Sequence, residues 1–218
     1  MSAKRFKPKS VCIFDFDGTL VDSMEGFADL AAGLMEKNYG LSYAQAREKY
    51  LKTSGLPFFQ QLESLFPNNP LNGKVAQDFE VQKKRYYFER PFFQEVYQTI
   101  ERLRRQGVRV VVSSNNGQDV IEEYLDHQDA PPFDLVLGFK EGFSKGRAHF
   151  EKVLDHFDLS VDEAVFVGDS LYDAQKALDF GVDFVGRVGT FSHHKFKESY
   201  PEIPTVKNLH ELIDLICK

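Results

Sequence analysis

Five short runs rich in β-branched and aromatic residues recur along the chain: Val11 to Phe14, Val108 to Val112, Leu135 to Leu137, Ala164 to Val167, and Phe184 to Val188. Near-continuous apolar runs, in place of apolar–polar alternation, predict strands buried on both faces, as in a parallel sheet. Between the runs the apolar positions fall three and four apart. Val96, Ile100 and Leu103 mark one helical face, and Val120, Ile121, Tyr124 and Leu125 a second. Val153, Leu154 and Phe157 mark a third, Ala174, Ala177 and Leu178 a fourth, and Leu209, Leu212, Ile213 and Ile216 a closing helix. Alternation of strand and helix in this order predicts an α/β fold with right-handed crossovers.

One gap breaks the rhythm. About ninety residues separate the first run from the second, whereas a whole strand–helix–strand unit needs only about 30. The gap carries helical spacing over Phe27 to Met35, Tyr43 to Leu51, Phe58 to Phe66 and Val75 to Phe88, with turns at Thr53-Ser54-Gly55-Leu56-Pro57 and Pro67-Asn68-Asn69-Pro70. The expected organisation is a Rossmann-like parallel-sheet core of residues 1–19 and 91–218, with a small α-helical domain of residues 20–90 inserted after the first strand.

Composition narrows the function classes. The 218 residues are 42% hydrophobic and 28% charged, ordinary for a soluble globular protein. Thirty-three acidic residues against 27 basic ones give a formal charge of -6, the wrong sign for a nucleic-acid binder. The one basic run, Lys83-Lys84-Arg85, reads as a solvated helix face. Cys12 sits inside an apolar run and reads as a small buried hydrophobe, and Cys217 lies next to the end of the chain, so a disulfide framework is not expected. No stretch approaches the roughly 18 apolar residues that span a bilayer. Asp15 interrupts the first apolar run before it could serve as a signal-peptide core. A cytoplasmic protein without membrane or nucleic-acid partners is expected, working as a monomer or weak homodimer.

The candidate chemistry lies where the apolar runs stop. Asp15-Phe16-Asp17-Gly18-Thr19 directly follows the first run. Ligands of open α/β sheets bind beyond the carboxyl ends of the strands. Two acids so close repel each other unless one is protonated or a cation intervenes. Gly168-Asp169-Ser170-Leu171-Tyr172-Asp173 follows the fourth run, with Asp173 one helical turn beyond Asp169. A helix N-cap would use the same residue types. Acids from two strand ends converging on one rim would need a metal, and oxygen-only ligands suit magnesium. Ser113-Ser114-Asn115-Asn116-Gly117 follows the second run and offers hydroxyl and amide donors ahead of a helix, either as an anion site or as a cap. Lys145, in Phe143-Ser144-Lys145-Gly146, stands at a helix start, where its charge opposes the helix dipole and calls for an anion or a carboxylate.

These four segments, in this order, resemble the motifs of the haloacid dehalogenase superfamily. Asp15 through Ser23 is similar to its first motif, the serine after the second strand to its second, Lys145 to its third, and Gly168-Asp169-Ser170 with Asp173 to its fourth. The resemblance covers the whole chain, since residues 20–90 match a helical cap inserted after the first motif. It is closest to phosphoglycolate phosphatases and their sugar-phosphate relatives. Ser113 and Ser114 are both candidates for the second motif, with Ser114 preferred because Asn115 follows it. The family often has Lys-Pro where this chain has Lys145-Gly146.

The resemblance implies a magnesium-dependent phosphatase for a small phosphorylated metabolite. Asp15 would be the nucleophile of an aspartyl-phosphate mechanism and Asp17 the general acid and base. Asp15, the main-chain carbonyl of Asp17, Asp169 and Asp173 would serve the metal. Gly18, Ser114, Asn115 and Lys145 would hold the phosphoryl group. Members of the family that cleave carbon–halogen or carbon–phosphorus bonds lack an acid at the position of Asp17, so its presence favours a phosphatase or a phosphomutase of the β-phosphoglucomutase type. A catalytically idle binding protein is the reading from another class. In the inserted segment the Thr53 to Pro57 turn is the candidate for a loop reaching the site, and Arg47, Lys52 and Arg85 are candidate anion contacts. His193-His194 lacks a third ligand at metal-binding spacing.

Overall fold

The computed structural model describes residues 6–217. In chain order its regular elements begin with β1 (Val11–Phe14), α1 (Met24–Tyr39), α2 (Tyr43–Lys52), α3 (Phe58–Leu65), α4 (Asn72–Tyr87), α5 (Val96–Arg105), β2 (Arg109–Gly117) and α6 (Gln118–His127). They continue with β3 (Leu135–Phe139), α7 (Arg147–Phe157), β4 (Ala164–Gly168), α8 (Leu171–Phe180), β5 (Asp183–Arg187), α9 (His193–Ser199), β6 (Thr205–Val206) and α10 (Leu212–Ile216). The chain divides into two compact units between Val21 and Asp22 and between Pro91 and Phe92.

The larger unit is built on a six-stranded sheet in the order β3-β2-β1-β4-β5-β6, with every neighbouring pair parallel. β1 and β4 are buried along their whole length, which is why their sequences read as unbroken apolar runs. Alternate residues serve opposite faces. Val11, Ile13, Val111, Ala164 and Phe166 pack with Phe150 and Val153 of α7, Ala174 and Ala177 of α8, and Phe196 of α9. Cys12, Phe14, Val110, Val112, Val165 and Val167 point the other way and are equally buried, and α5 and α6 pack against β2. Phe166 is gripped edge-on by Phe150, with ring centroids 5.2 Å apart; truncating so buried a phenylalanine to alanine costs about 3–5 kcal/mol.

This strand order reverses direction between β1 and β4: chain progression runs one way from β1 through β2 to β3, and the other way from β4 to β6. A crevice opens at the carboxyl ends of the strands flanking such a switch point. Phe14 pairs with Val167, which sets Asp15 level with Gly168 and brings Asp169, the next residue, to the same rim.

Three features differ from the sequence expectation. β2 does not stop at Val112 but runs on through Ser113-Ser114-Asn115-Asn116 to Gly117. β6 is a sixth strand of only two residues, too short to produce a pattern. The closing helix begins as a tight turn over Leu209–Glu211, capped by the Asn208 side chain, before α10.

The smaller unit, residues 22–91, is helical. Phe27 of α1, Tyr50 of α2, Phe58 of α3 and Phe79 of α4 form its aromatic centre, with Phe58 and Phe79 centroids 4.3 Å apart. Ser42 and Gln45 form a reciprocal cap at the start of α2. The Thr53 to Pro57 turn is tied down within this unit: buried Gln61 accepts from Thr53 Oγ1 at 2.7 Å and donates to the Leu56 carbonyl at 2.9 Å. Arg47 is paired with Asp29 at 3.0 Å and with Glu25, and Lys52 with Glu48 at 2.6 Å, so these two cations already face carboxylates. Arg85 is exposed. No helix among the described residues is long and apolar enough to cross a membrane.

Candidate active site

Asp15 leaves β1 with its backbone still in the sheet, its N–H donating to the Val167 carbonyl at 2.8 Å. Phe16 turns to the opposite side and is buried edge-on against Tyr124 and Phe92, with centroids 5.3 and 6.3 Å away. That anchor leaves Asp15 and Asp17 on the crevice side. Gly18 then bends the chain at φ 72°, a conformation costly for any residue with a Cβ. The Phe16 carbonyl accepts from Leu20 N and Val21 N, closing the turn. The Gly18 N–H donates to the Val21 carbonyl at 2.9 Å, and its own carbonyl accepts from Arg187 Nη1 at 3.1 Å. Gly18 therefore supplies the bend, with its N–H committed inside the loop rather than directed at a phosphoryl oxygen.

Lys145 precedes α7 and is buried, with Nζ 2.7 Å from Asp15 Oδ1 and 2.7 Å from Asp173 Oδ1. Asp173, in the first turn of α8, uses its two oxygens differently. Oδ2 accepts from the Ser170 hydroxyl at 2.6 Å and the Ser170 N–H at 3.2 Å, completing a reciprocal cap, while Oδ1 faces the lysine. The capping role and the site role of this segment thus coexist on one carboxylate. Asp169 is buried at the end of β4 and accepts a hydrogen bond from the Thr190 hydroxyl.

One ligand oxygen from each of Asp15, Asp169 and Asp173 lies within 4.8 Å of the others. Burial raises the Asp15 carboxyl from 3.8 to about 7; Lys145 pulls against that rise, and Asp173 and Asp17 add to it. Burial, then Asp15 and Asp173, push Asp169 well above the ordinary carboxylate value. Burial also works against the Lys145 ammonium, but Asp15 and Asp173 outweigh it and hold its pKa above the usual lysine value. Asp15 and Asp169 are both raised above the ordinary carboxylate value, so the three buried acids ionise together only when more positive charge joins Lys145 at this rim, and a divalent cation supplies it. The donors that converge here are all carboxylate oxygens, the ligand type that suits magnesium.

The second segment is more elaborate than a strand end followed by a cap. Ser113 pairs with Leu137 of β3, but the next pairing is Gly117 with Phe139. Four steps along β2 match two along β3, so Ser114, Asn115 and Asn116 ride on a bulge. Ser113 Oγ, fully buried, is 2.9 Å from His149 Nδ1. Burial, helped by Lys145, lowers that imidazole to about 4, so it is neutral. Ser114 Oγ accepts from Asn116 N at 3.1 Å, and Asn115 Oδ1 accepts from Lys145 N at 3.2 Å, which ties the second segment to the third. The Asn116 side-chain amide donates to Asp17 Oδ2 at 2.7 Å.

The structure therefore brings Asp15, Lys145, Asp169 and Asp173 together directly, and joins Asp17, Ser114 and Asn115 to them through hydrogen bonds. It also recruits residues the sequence reading did not single out for this role: Asn116, Thr190 and His149. His193 lies elsewhere, opening α9 with Nδ1 2.6 Å from Thr205 Oγ1.

A sequence model described as haloacid dehalogenase-like hydrolase matches residues 12–187. A phosphoglycolate phosphatase of Aquifex aeolicus is 26% identical over 76% of this chain and 78% of its own length. A Bacillus cereus protein named pyrophosphatase PpaX is 21% identical over 94% of each chain. Among solved structures, a haloacid dehalogenase-like family hydrolase of Streptococcus pneumoniae superposes with a TM-score of 0.79 at 17% identity, covering 94% of this chain and 97% of that one.

Proposed function

This chain belongs to the haloacid dehalogenase-like hydrolase family, and on that footing we propose that it is a magnesium-dependent phosphatase of small phosphorylated metabolites, with Asp15 as the nucleophile. The observation that carries the reading is Lys145 held between Asp15 and Asp173, with Asp169 at the same rim. A buried cation amid an excess of buried acid is a site prepared for a further cation and an anion.

In the proposed reaction an Asp15 oxygen forms a bond to phosphorus as the bond to the leaving oxygen breaks, and Asp17 donates its proton to that oxygen. Asp17 then takes a proton from water as the water oxygen attacks phosphorus, which releases inorganic phosphate and restores Asp15. Splitting hydrolysis into two displacements is covalent catalysis, and the shuttled proton is general acid–base catalysis. Asp15, the main-chain carbonyl of Asp17 and Asp169 would hold magnesium, with Asp173 behind them, and its charge would offset that of the transferring group. Lys145, Ser114 and the main-chain amide of Asn115 would hold the phosphoryl oxygens. The pairing of Ser113 with His149 favours Ser114 for this part. Residues 22–91 would act as a cap that selects the substrate and excludes water.

The names of relatives support two leaving-group classes, a carboxylate-bearing phosphomonoester and a phosphoanhydride. The test is inorganic phosphate release from 2-phosphoglycolate, sugar phosphates and pyrophosphate, with magnesium or with EDTA, against an Asp15→Asn control. Release that needs both magnesium and Asp15 supports the reading, and the preferred substrate selects the class. Isomer formation without phosphate release would identify a phosphomutase. Turnover no greater than that of the control would identify an idle fold.

A further inference from the structure

The bulge of β2 is held too deliberately to be a frayed strand end. A two-residue mismatch should leave polar groups of β3 without strand partners, and buried backbone groups need partners. The Gln118 side chain supplies them: Oε1 accepts from Gly138 N at 2.6 Å and Nε2 donates to the Val136 carbonyl at 3.1 Å. Gly138 is the residue that lets the bulge approach. A Cβ there would sit 2.5 Å from Gln118 Cα and 3.0 Å from the Asn116 carbonyl oxygen, both backbone atoms. Asn116 is thus set in place from behind by its own backbone. In front, its N–H meets Ser114 Oγ and its side-chain amide meets Asp17 Oδ2, 99 positions away in the chain.

We propose that Asn116 is the positioning residue for Asp17, fixing the direction in which that carboxyl group meets the leaving oxygen. The inference rests on the phosphatase reading above and deepens it. A proton donor contributes to the transition state only when it is held within hydrogen-bond reach of the departing atom. Asp17 is half-buried, and its carboxyl group can rotate about two side-chain bonds. The amide bond to Oδ2 from the bulge narrows that rotation. An amide neither gains nor loses a proton at working pH, so Asn116 acts through geometry. The same residue directs Ser114, because an oxygen that accepts from Asn116 N turns its own hydrogen elsewhere. Asn116 thereby sets the proposed acid and the proposed phosphate-holding hydroxyl in one frame.

This role has a signature that loss of packing lacks. The value of kcat/KM reports phosphoryl transfer to Asp15, and in that step a weakly basic phenolate leaves without a proton whereas an alkoxide does not, so misplacing the acid lowers kcat/KM only for esters with poor leaving groups. The experiment measures kcat/KM of wild type, Asn116→Ala and Asn116→Asp on p-nitrophenyl phosphate and on a simple alkyl phosphate, with magnesium and with an Asp15→Asn blank. The aspartate variant keeps the size of the side chain but offers a second carboxylate where Asp17 now finds a donor, so it serves should the alanine variant fold poorly. Both variants are expected to lose on the order of tenfold or more on the alkyl ester and less than about threefold on the aryl ester. Equal losses on both esters, or none on either, with Asp15-dependent turnover intact, would overturn the role of Asn116 alone. Wild-type turnover of neither ester above the blank would overturn this inference, and no phosphate release above the blank from 2-phosphoglycolate, sugar phosphates or pyrophosphate would overturn the phosphatase reading with it.

Discussion

Replacing Asp15 by asparagine should make the metal-free protein more stable at pH 8 although it removes the proposed nucleophile. Burial holds the folded carboxyl at about 7 against 3.8 for the free side chain. Between those values the folded state binds the proton that the unfolded state has released, so stability falls as pH rises through that window. A displacement of this size, shared with the neighbouring Asp169, Asp173 and Lys145, is worth on the order of a few kcal/mol above neutral pH. Asparagine keeps the shape and an acceptor for Lys145 but cannot ionise. The two proteins should therefore melt together near pH 5 and separate towards pH 8, with the variant higher. At about 2–4 °C per kcal/mol for a chain of this size, the gap should reach several degrees. His149 titrates with the opposite sign: its folded value of about 4 lies below the ordinary 6.5, so it adds stability as pH rises through that interval. Both proteins carry His149, and the difference between them removes its contribution. The assay is scanning calorimetry in EDTA at pH 5, 6, 7 and 8, repeated with magnesium, which should raise the wild type and close the gap. A difference that stays flat with pH, or a variant that melts lower at pH 8 in EDTA, would refute the electrostatic account of the site.

Three further outcomes follow from individual contacts. Ser113→Ala leaves His149 Nδ1 without its partner at 2.9 Å and should cost about 1–3 kcal/mol in urea unfolding, whereas Ser114→Ala should spare stability and lower kcat/KM; the reverse pattern would exchange their roles. Arg187 is buried, pairs with Glu95 at 3.1 Å, holds the Gly18 carbonyl and lies 3.5 Å over the Phe93 ring. Arg187→Met should lose about 3–5 kcal/mol, and much less in a Glu95→Gln background; equal losses in both backgrounds would show that the pair is not the cause. In the helical unit a Cβ on Gly26 would fall 1.6 Å from Tyr86 Oη, so Gly26→Ala should destabilise by about 1–3 kcal/mol in the wild-type background and be near neutral beside Tyr86→Ala, as read from urea midpoints.

The parts of this site that were legible in the sequence are those where a strongly patterned element ends on a charged residue. Asp15 and Asp169 each follow a strand buried on both faces, and such strands leave unbroken apolar runs whose last residue can be located. The extension of β2 was not legible, because Ser113 to Asn116 carry no strand-like pattern and the bulge depends on a glycine and a glutamine some twenty positions apart. Asn116 could have been noticed as a second asparagine that neither a cap nor an anion site requires. Arg187 left a plainer signal: a charged residue inside the apolar run Phe184 to Val188 must find a buried partner. His149 left none, since a histidine within an amphipathic helix looks the same whether it is buried or exposed. The sixth strand, Thr205–Val206, is held by pairing with β5 and is too short to show periodicity.

The central claim is covalent, and it can be read directly as mass. The protein is mixed with magnesium and a turned-over phosphate ester, quenched in acid during the steady state, digested and weighed peptide by peptide. The account predicts one added phosphoryl group on the peptide bearing Asp15, lost on hydroxylamine treatment and absent from the Asp15→Asn variant. Turnover that leaves this peptide unmodified and persists in the Asp15→Asn variant would contradict it.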